Sequence, residues 1–223
     1  MTELSEAGAA DPRPVAAAGD RRRVVTWEDP GVGAALALEL NGLDYLRGIA
    51  DGCIPAPPIA TLLGLGIAEV EPGRVTFSLD VGEHLYNPIG SVHGGVFCTL
   101  LDSAMACAVH STLGPGQAYT TLELKVNLVK PLTVHTPRVV ATGQLLSAGR
   151  RVATASGQIT GPDGTLYAHA TTTCLIIDTR QGGGSGLPRQ GGGSGLPRQG
   201  GGSGLPRQGG GNGHSSEGNG DGR

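Results

Sequence analysis

The chain holds 223 residues, enough for one ordinary domain or two small ones, with a core that folds without staples. Sixteen basic residues against 19 acidic ones give a net charge of -3, which argues against a general nucleic-acid binder. The four cysteines, Cys53, Cys98, Cys107 and Cys174, show neither CxxC spacing nor the density of a secreted disulfide scaffold, so they read as reduced, mostly buried thiols in a cytoplasmic protein.

Residues 1–32 read as a flexible arm. Their first part is rich in Ala, Pro and charge, without an apolar stretch that would serve as a secretory signal, and "RRR" at 21–23 reads as a solvated run. Trp27, the only tryptophan, is expected to pack this arm or the first helix on the domain. From Gly33 to about Ala50 the apolar residues recur at helical spacing, which predicts one helix with Gly42 as its weak point. The three prolines of "CIPAPPIATLLG" then impose an extended or turning path.

Strands follow. "GRVTFSLDVG" alternates Val75, Phe77, Leu79 and Val81 with Thr76, Ser78 and Asp80, the period of a half-buried strand. In "TTLELKVNLVKP" the same reading places Leu122, Leu124, Val126 and Leu128 on one face and Thr121, Glu123, Lys125 and Asn127 on the other. Residues 138–177 read as three more strands, turning at "SAGR" and "GPDG". Residues 181–223 repeat "GGGSGLPRQ" three times and hold 19 of the 40 glycines; they offer almost nothing to bury and read as a disordered tail.

Between the strand groups lies "NPIGSVHGGVFCTLLDSAMACAVHS", residues 87–111, a polar turn running into an almost wholly apolar helix. A helix hydrophobic on nearly all sides must be buried, so the expected fold is α+β, a long antiparallel sheet wrapped around this helix, over residues 33–180. The stretch is broken by Asp102 and His110 and is no membrane span.

"HGG" puts two residues without side chains at the helix start, where free amides and the positive end of the dipole face outward. That place suits a carbonyl oxygen becoming an oxyanion, and it equally suits a tight turn packed on the sheet. Asp102 tips the balance. A carboxylate among Leu100, Leu101, Ala104 and Met105 loses hydration, which calls either for a hydroxyl partner such as Ser103 or Thr99, or one across the sheet, or for a role as desolvated base or nucleophile. Gly94 and Asp102 are eight residues apart, about 12 Å of helical rise. If both act on one substrate atom they must come from two copies of the chain at a two-fold interface, which predicts a homodimer with composite sites.

"NPIGSVHGG", with Asp102 nine residues after the His and "TLELKVNLVKP" following, resembles the hotdog-fold acyl-CoA thioesterases of the PaaI type, in the 4-hydroxybenzoyl-CoA thioesterase superfamily. The likeness spans roughly residues 60–178. It implies a sheet wrapped on a central helix and a dimer, in some members a tetramer. It also implies Asp102 as nucleophile or general base, Gly94 as amide donor to the thioester oxygen, Asn87 and His93 shaping that end of the site, and Thr121 orienting the attacking water.

Thioester hydrolysis needs an oxyanion donor and a source of hydroxide at neutral pH, and the amides of Gly94 and Gly95 together with Asp102 are read as supplying them. CoA is part of the substrate, and no cofactor or metal is expected. Its phosphates want basic residues at the mouth, for which Lys125, Lys130, Arg150 and Arg151 are candidates. His84 and His110 read as surface or core residues rather than catalysts. The alternative function is a non-catalytic acyl-CoA-binding or regulatory hotdog module. No GxSxG elbow is present to support an α/β-hydrolase.

Overall fold

The computed structural model describes residues 21–180, Pro137 excepted; the greater part of the expected arm and the whole Gly-rich tail lie outside the described residues. Three short helices come first, α1 (Pro30–Glu39), α2 (Gly42–Ala50) and α3 (Pro58–Leu63). Strands β1 (Leu65–Glu71) and β2 (Arg74–Leu79) precede the long helix α4 (Gly94–His110). After it come β3 (Gln117–Leu128), β4 (Val139–Ala148), β5 (Val152–Thr160) and β6 (Leu166–Asp178). One six-stranded sheet has the order β1-β2-β4-β5-β6-β3, every pair antiparallel. Among the described residues no helix is long and apolar enough to cross a membrane.

The single helix expected from Gly33 to Ala50 is two. Asn41 ends the first by capping the second, its side chain accepting the Asp44 amide at 2.9 Å. The glycine expected to be a weak point is a packing contact, since a Cβ on Gly42 would stand 1.7 Å from the carbonyl oxygen of His110. The proline-rich segment also holds more structure than its composition predicts, because Pro58 begins α3, where its missing N–H costs nothing.

α4 lies in the embrace of the sheet. Leu100, Leu101 and Met105 are fully buried against Val75, Ala141, Ala155 and Ile159. Contact is closest at Gly143 of β4, where a Cβ would meet the Ala104 carbonyl oxygen at 2.1 Å, so the helix rests on bare strand backbone.

Three further expectations need correction. Trp27 is 62% exposed and does not pack on the domain. On β3 the assumed alternation fails: a bulge between Thr121 and Glu123 shifts the phase and leaves Leu122 58% exposed, and at the strand's end Leu128, though in phase with Leu124 and Val126, is 55% exposed. Thr121 therefore shares the inner face with Leu124 and Val126 rather than opposing them. The "RRR" run is also more than solvated, since Arg23 donates to the Leu62 and Thr61 carbonyl oxygens at the end of α3 and Arg21 pairs with Glu83.

Candidate active site

The turn ahead of α4 is organised by Asn87. Its side-chain oxygen accepts the amides of Ile89 at 3.0 Å and Ser91 at 3.2 Å, and its NH2 donates to the Ser91 hydroxyl. With those bonds made, Asn87 shapes the turn and has little left for a ligand. His93 is the helix N-cap. Its backbone is extended, its amide donates to the Leu85 carbonyl at 2.8 Å, and its Nδ1 accepts the Gly95 amide at 2.9 Å.

This capping decides between the two glycines. The Gly95 amide, expected to help polarise the substrate, is engaged by His93. The Gly94 amide has no hydrogen-bond partner among the described residues and stands at the positive end of a 17-residue helix. A Cβ there would meet only the Leu128 Cδ1, at 3.3 Å.

Two turns along α4, the partner of Asp102 lies across the sheet: the Thr121 hydroxyl donates to its Oδ1 at 2.8 Å. The phase shift at the β3 bulge is what aims Thr121 inward. No partner for Oδ2 is present among the described residues, so that oxygen is free to act on a ligand. Neighbouring Thr99 bonds instead to the Gly95 carbonyl.

Asp102 and Thr121 open onto a cavity of about 470 Å³, walled by α2, α3, β1 and one face of α4. The walls are mainly apolar, with Leu46, Ile49, Ala60 and Phe77 among them, and Ser103, Tyr45, Tyr119 and His110 add polar atoms. Sequence reasoning did not assign these last residues to the site. A signal was available, since His110 follows Asp102 by eight residues and so shares its face of the helix. Asn87, His93, Gly94 and Gly95 do not line this cavity. Nor do Lys125 and Lys130, exposed on and just after β3, or Arg150 and Arg151, exposed in the β4–β5 turn.

Burial sets the charge state of the cavity's inner end. It pushes the Cys107 thiol up to about 12, raises Tyr45 and Tyr119 above the ordinary tyrosine value, and lowers His110 to about 4. At neutral pH these groups are all uncharged. None of the described residues forms a His, Cys, Asp and Glu cluster suited to a metal ion.

Residues 89–168 match the thioesterase superfamily. The chain is similar to a 1,4-dihydroxy-2-naphthoyl-CoA hydrolase of Listeria monocytogenes, 27% identical over 40% of this chain and 70% of that one. Among solved structures it is similar to a phenylacetic acid degradation-related protein of Ralstonia eutropha, 30% identical with a TM-score of 0.54, covering 59% of this chain and 98% of that one. A thioesterase family protein of Silicibacter pomeroyi is 26% identical with the same TM-score, over 60% and 98% of the two chains. The central helix within a six-stranded antiparallel sheet agrees with these likenesses, and the chain belongs to the thioesterase superfamily as a hotdog-fold thioester hydrolase.

Proposed function

We propose that this enzyme hydrolyses acyl-CoA thioesters to the free acid and CoA in a homodimer whose two sites each draw on both chains. The observation that carries this reading is the division of the groups. Asp102 lines the acyl-sized cavity while the free amide of Gly94 does not, although both are needed at one carbonyl.

In this reading the acyl group enters the cavity and its carbonyl oxygen accepts a hydrogen bond from the amide of the partner's Gly94. Oδ2 of Asp102 either attacks the thioester carbon or takes a proton from a water that does so, and Thr121 fixes the carboxylate's orientation through Oδ1. Negative charge develops on the carbonyl oxygen, where the helix dipole and the amide stabilise it. The C–S bond then breaks and CoA leaves as a thiolate, which water protonates. In the nucleophilic variant, water cleaves the Asp102 anhydride and restores the carboxylate.

The sheet supports a specific pairing. β3 bonds only to β6 among the described strands, which leaves a 12-residue edge bearing exposed Leu122 and Leu128. Leu128 is the side chain nearest Gly94, and Thr121 is bonded to Asp102. Antiparallel pairing of two β3 edges about a centre between Leu124 and Lys125 sets Thr121 across from the partner's Leu128, and so carries each Asp102 toward the partner's Gly94. Lys125 and Lys130 then flank the shared edge, suited to CoA phosphates.

The test is thiol release from a panel of aromatic and aliphatic acyl-CoAs by the wild type and Asp102→Asn. Turnover lost in the variant while an acyl-CoA still binds supports the reading. Binding without turnover in the wild type would make the protein an acyl-CoA-binding module instead.

A further inference from the structure

The face of α4 that carries Asp102 continues through Ala106 to His110, and all three line the same cavity. At its inner end the His110 ring lies between Tyr45 and Tyr119, with centroids 5.3 and 5.0 Å away. His110 is only 5% exposed and its ring makes no hydrogen bond among the described residues. No buried side-chain nitrogen or oxygen among those residues is both sealed off and unpartnered, so neither ring nitrogen of His110 is closed off, and the residue lines the cavity. A neutral imidazole offers one donor and one acceptor. Filling the cavity with hydrocarbon would strip water from both and leave them unmatched, at a cost a polar ligand atom avoids.

We propose that His110 is a specificity-determining residue that reads the far end of the acyl group, so that the enzyme selects acyl-CoAs ending there in a neutral hydrogen-bonding group such as a hydroxyl or a carbonyl. This rests on Asp102 being the carboxylate that acts at the thioester carbon. The helical rise from Asp102 to His110 is about 12 Å, and one contact of about 3 Å at each end leaves about 6 Å of acyl group between them. A para-substituted ring or a chain of five or six atoms fits that span. A neutral group is required because His110, Tyr45, Tyr119 and Cys107 are uncharged at neutral pH, so a carboxylate placed among them would lose its hydration without gaining a cation.

The experiment compares kcat/KM for hexanoyl-CoA, 6-hydroxyhexanoyl-CoA and the CoA monothioester of adipic acid, and for benzoyl-CoA and its para-hydroxy counterpart. Each is measured with the wild type, His110→Phe and His110→Gln. The wild type is expected to favour the hydroxylated member of at least one pair by about tenfold or more, because a site that hydrogen-bonds a hydroxyl rejects the analogue lacking it. It should turn over the carboxylate-ended substrate more slowly than either neutral chain. His110→Phe should bring the ratio near one and His110→Gln should keep a preference. Turnover without preference in the wild type, the same preference in His110→Phe, or hydrolysis of the carboxylate-ended substrate as fast as the hydroxylated one would overturn the proposal alone. If His110→Phe does not fold, the wild-type ratios and His110→Gln still decide. Absence of turnover on every substrate would overturn the thioesterase mechanism as well.

Discussion

The two ends of α4's working stretch satisfy their polar groups in opposite ways. At the start, Asn87, Ser91, His93 and Gly95 bond to one another within nine residues of sequence. At Asp102 the partner is Thr121, 19 residues further along and on another element. Local satisfaction leaves a single amide, that of Gly94, over for a ligand, whereas long-range satisfaction leaves a carboxylate oxygen over. The first end owes its geometry to turn chemistry and the second to the register of the sheet.

The largest effect is expected from Asp102→Asn, which keeps the shape and an acceptor for Thr121 but removes the carboxylate proposed as base or nucleophile. Turnover should fall by roughly 10²-fold to 10⁴-fold with acyl-CoA binding retained, measured by thiol release and by calorimetry. Next comes Gly94→Pro, which deletes one amide while asking little of the helix. Proline suits the first helical position, and His93 already holds φ -63° and ψ 136°, a conformation that tolerates a following proline. A folded variant with turnover reduced about 10²-fold to 10³-fold is expected, and full activity would deny the amide its role. Mixing Asp102→Asn chains with Gly94→Pro chains should restore activity in mixed dimers; no recovery would show that each site lies within one chain.

A further prediction concerns stability. His110 binds its proton at about pH 4 in the folded chain against an ordinary value of 6.5, with burial as the cause. The unfolded chain therefore holds more protons between those values, and stability present above pH 6.5 is lost as pH falls toward 4. The loss is about 3 kcal/mol at pH 4, and urea unfolding at pH 7 and pH 4 should show it in the wild type and not in His110→Phe. The smallest effect is expected from Thr121→Val, which frees Asp102 from its anchor. Turnover should drop about tenfold, with kcat falling more than KM rises.

The elements legible in the sequence were those set by nearby residues. The buried helix, its glycine start and the turn at "NPIG" follow from local composition, and the alternation in residues 75–79 gave β2 its buried face of Val75, Phe77 and Leu79. Asp102 stood out because a carboxylate in an apolar run must be compensated. The misread features depend on distant contacts. A one-residue bulge in β3 leaves no mark in an alternating pattern, yet it moves Thr121 to the inner face. The break at Asn41 likewise reflects Gly42 pressing on the end of α4, 68 residues away in sequence. The cavity's inner end was hidden for the same reason, since Tyr45, His110 and Tyr119 come from three separate elements.

The bare seat of α4 on Gly143 has one more consequence. With Ala104 against the backbone of Gly143, no side chain separates helix from strand there, and Asp102 and His110 stand on one helix about 12 Å apart along its axis. The opposite wall, from α2 and α3, lies before residue 89, outside the segment matched to the thioesterase superfamily. Asp102 and His110 thus stand on one wall inside that segment, while the helices that face them across the cavity come from outside it.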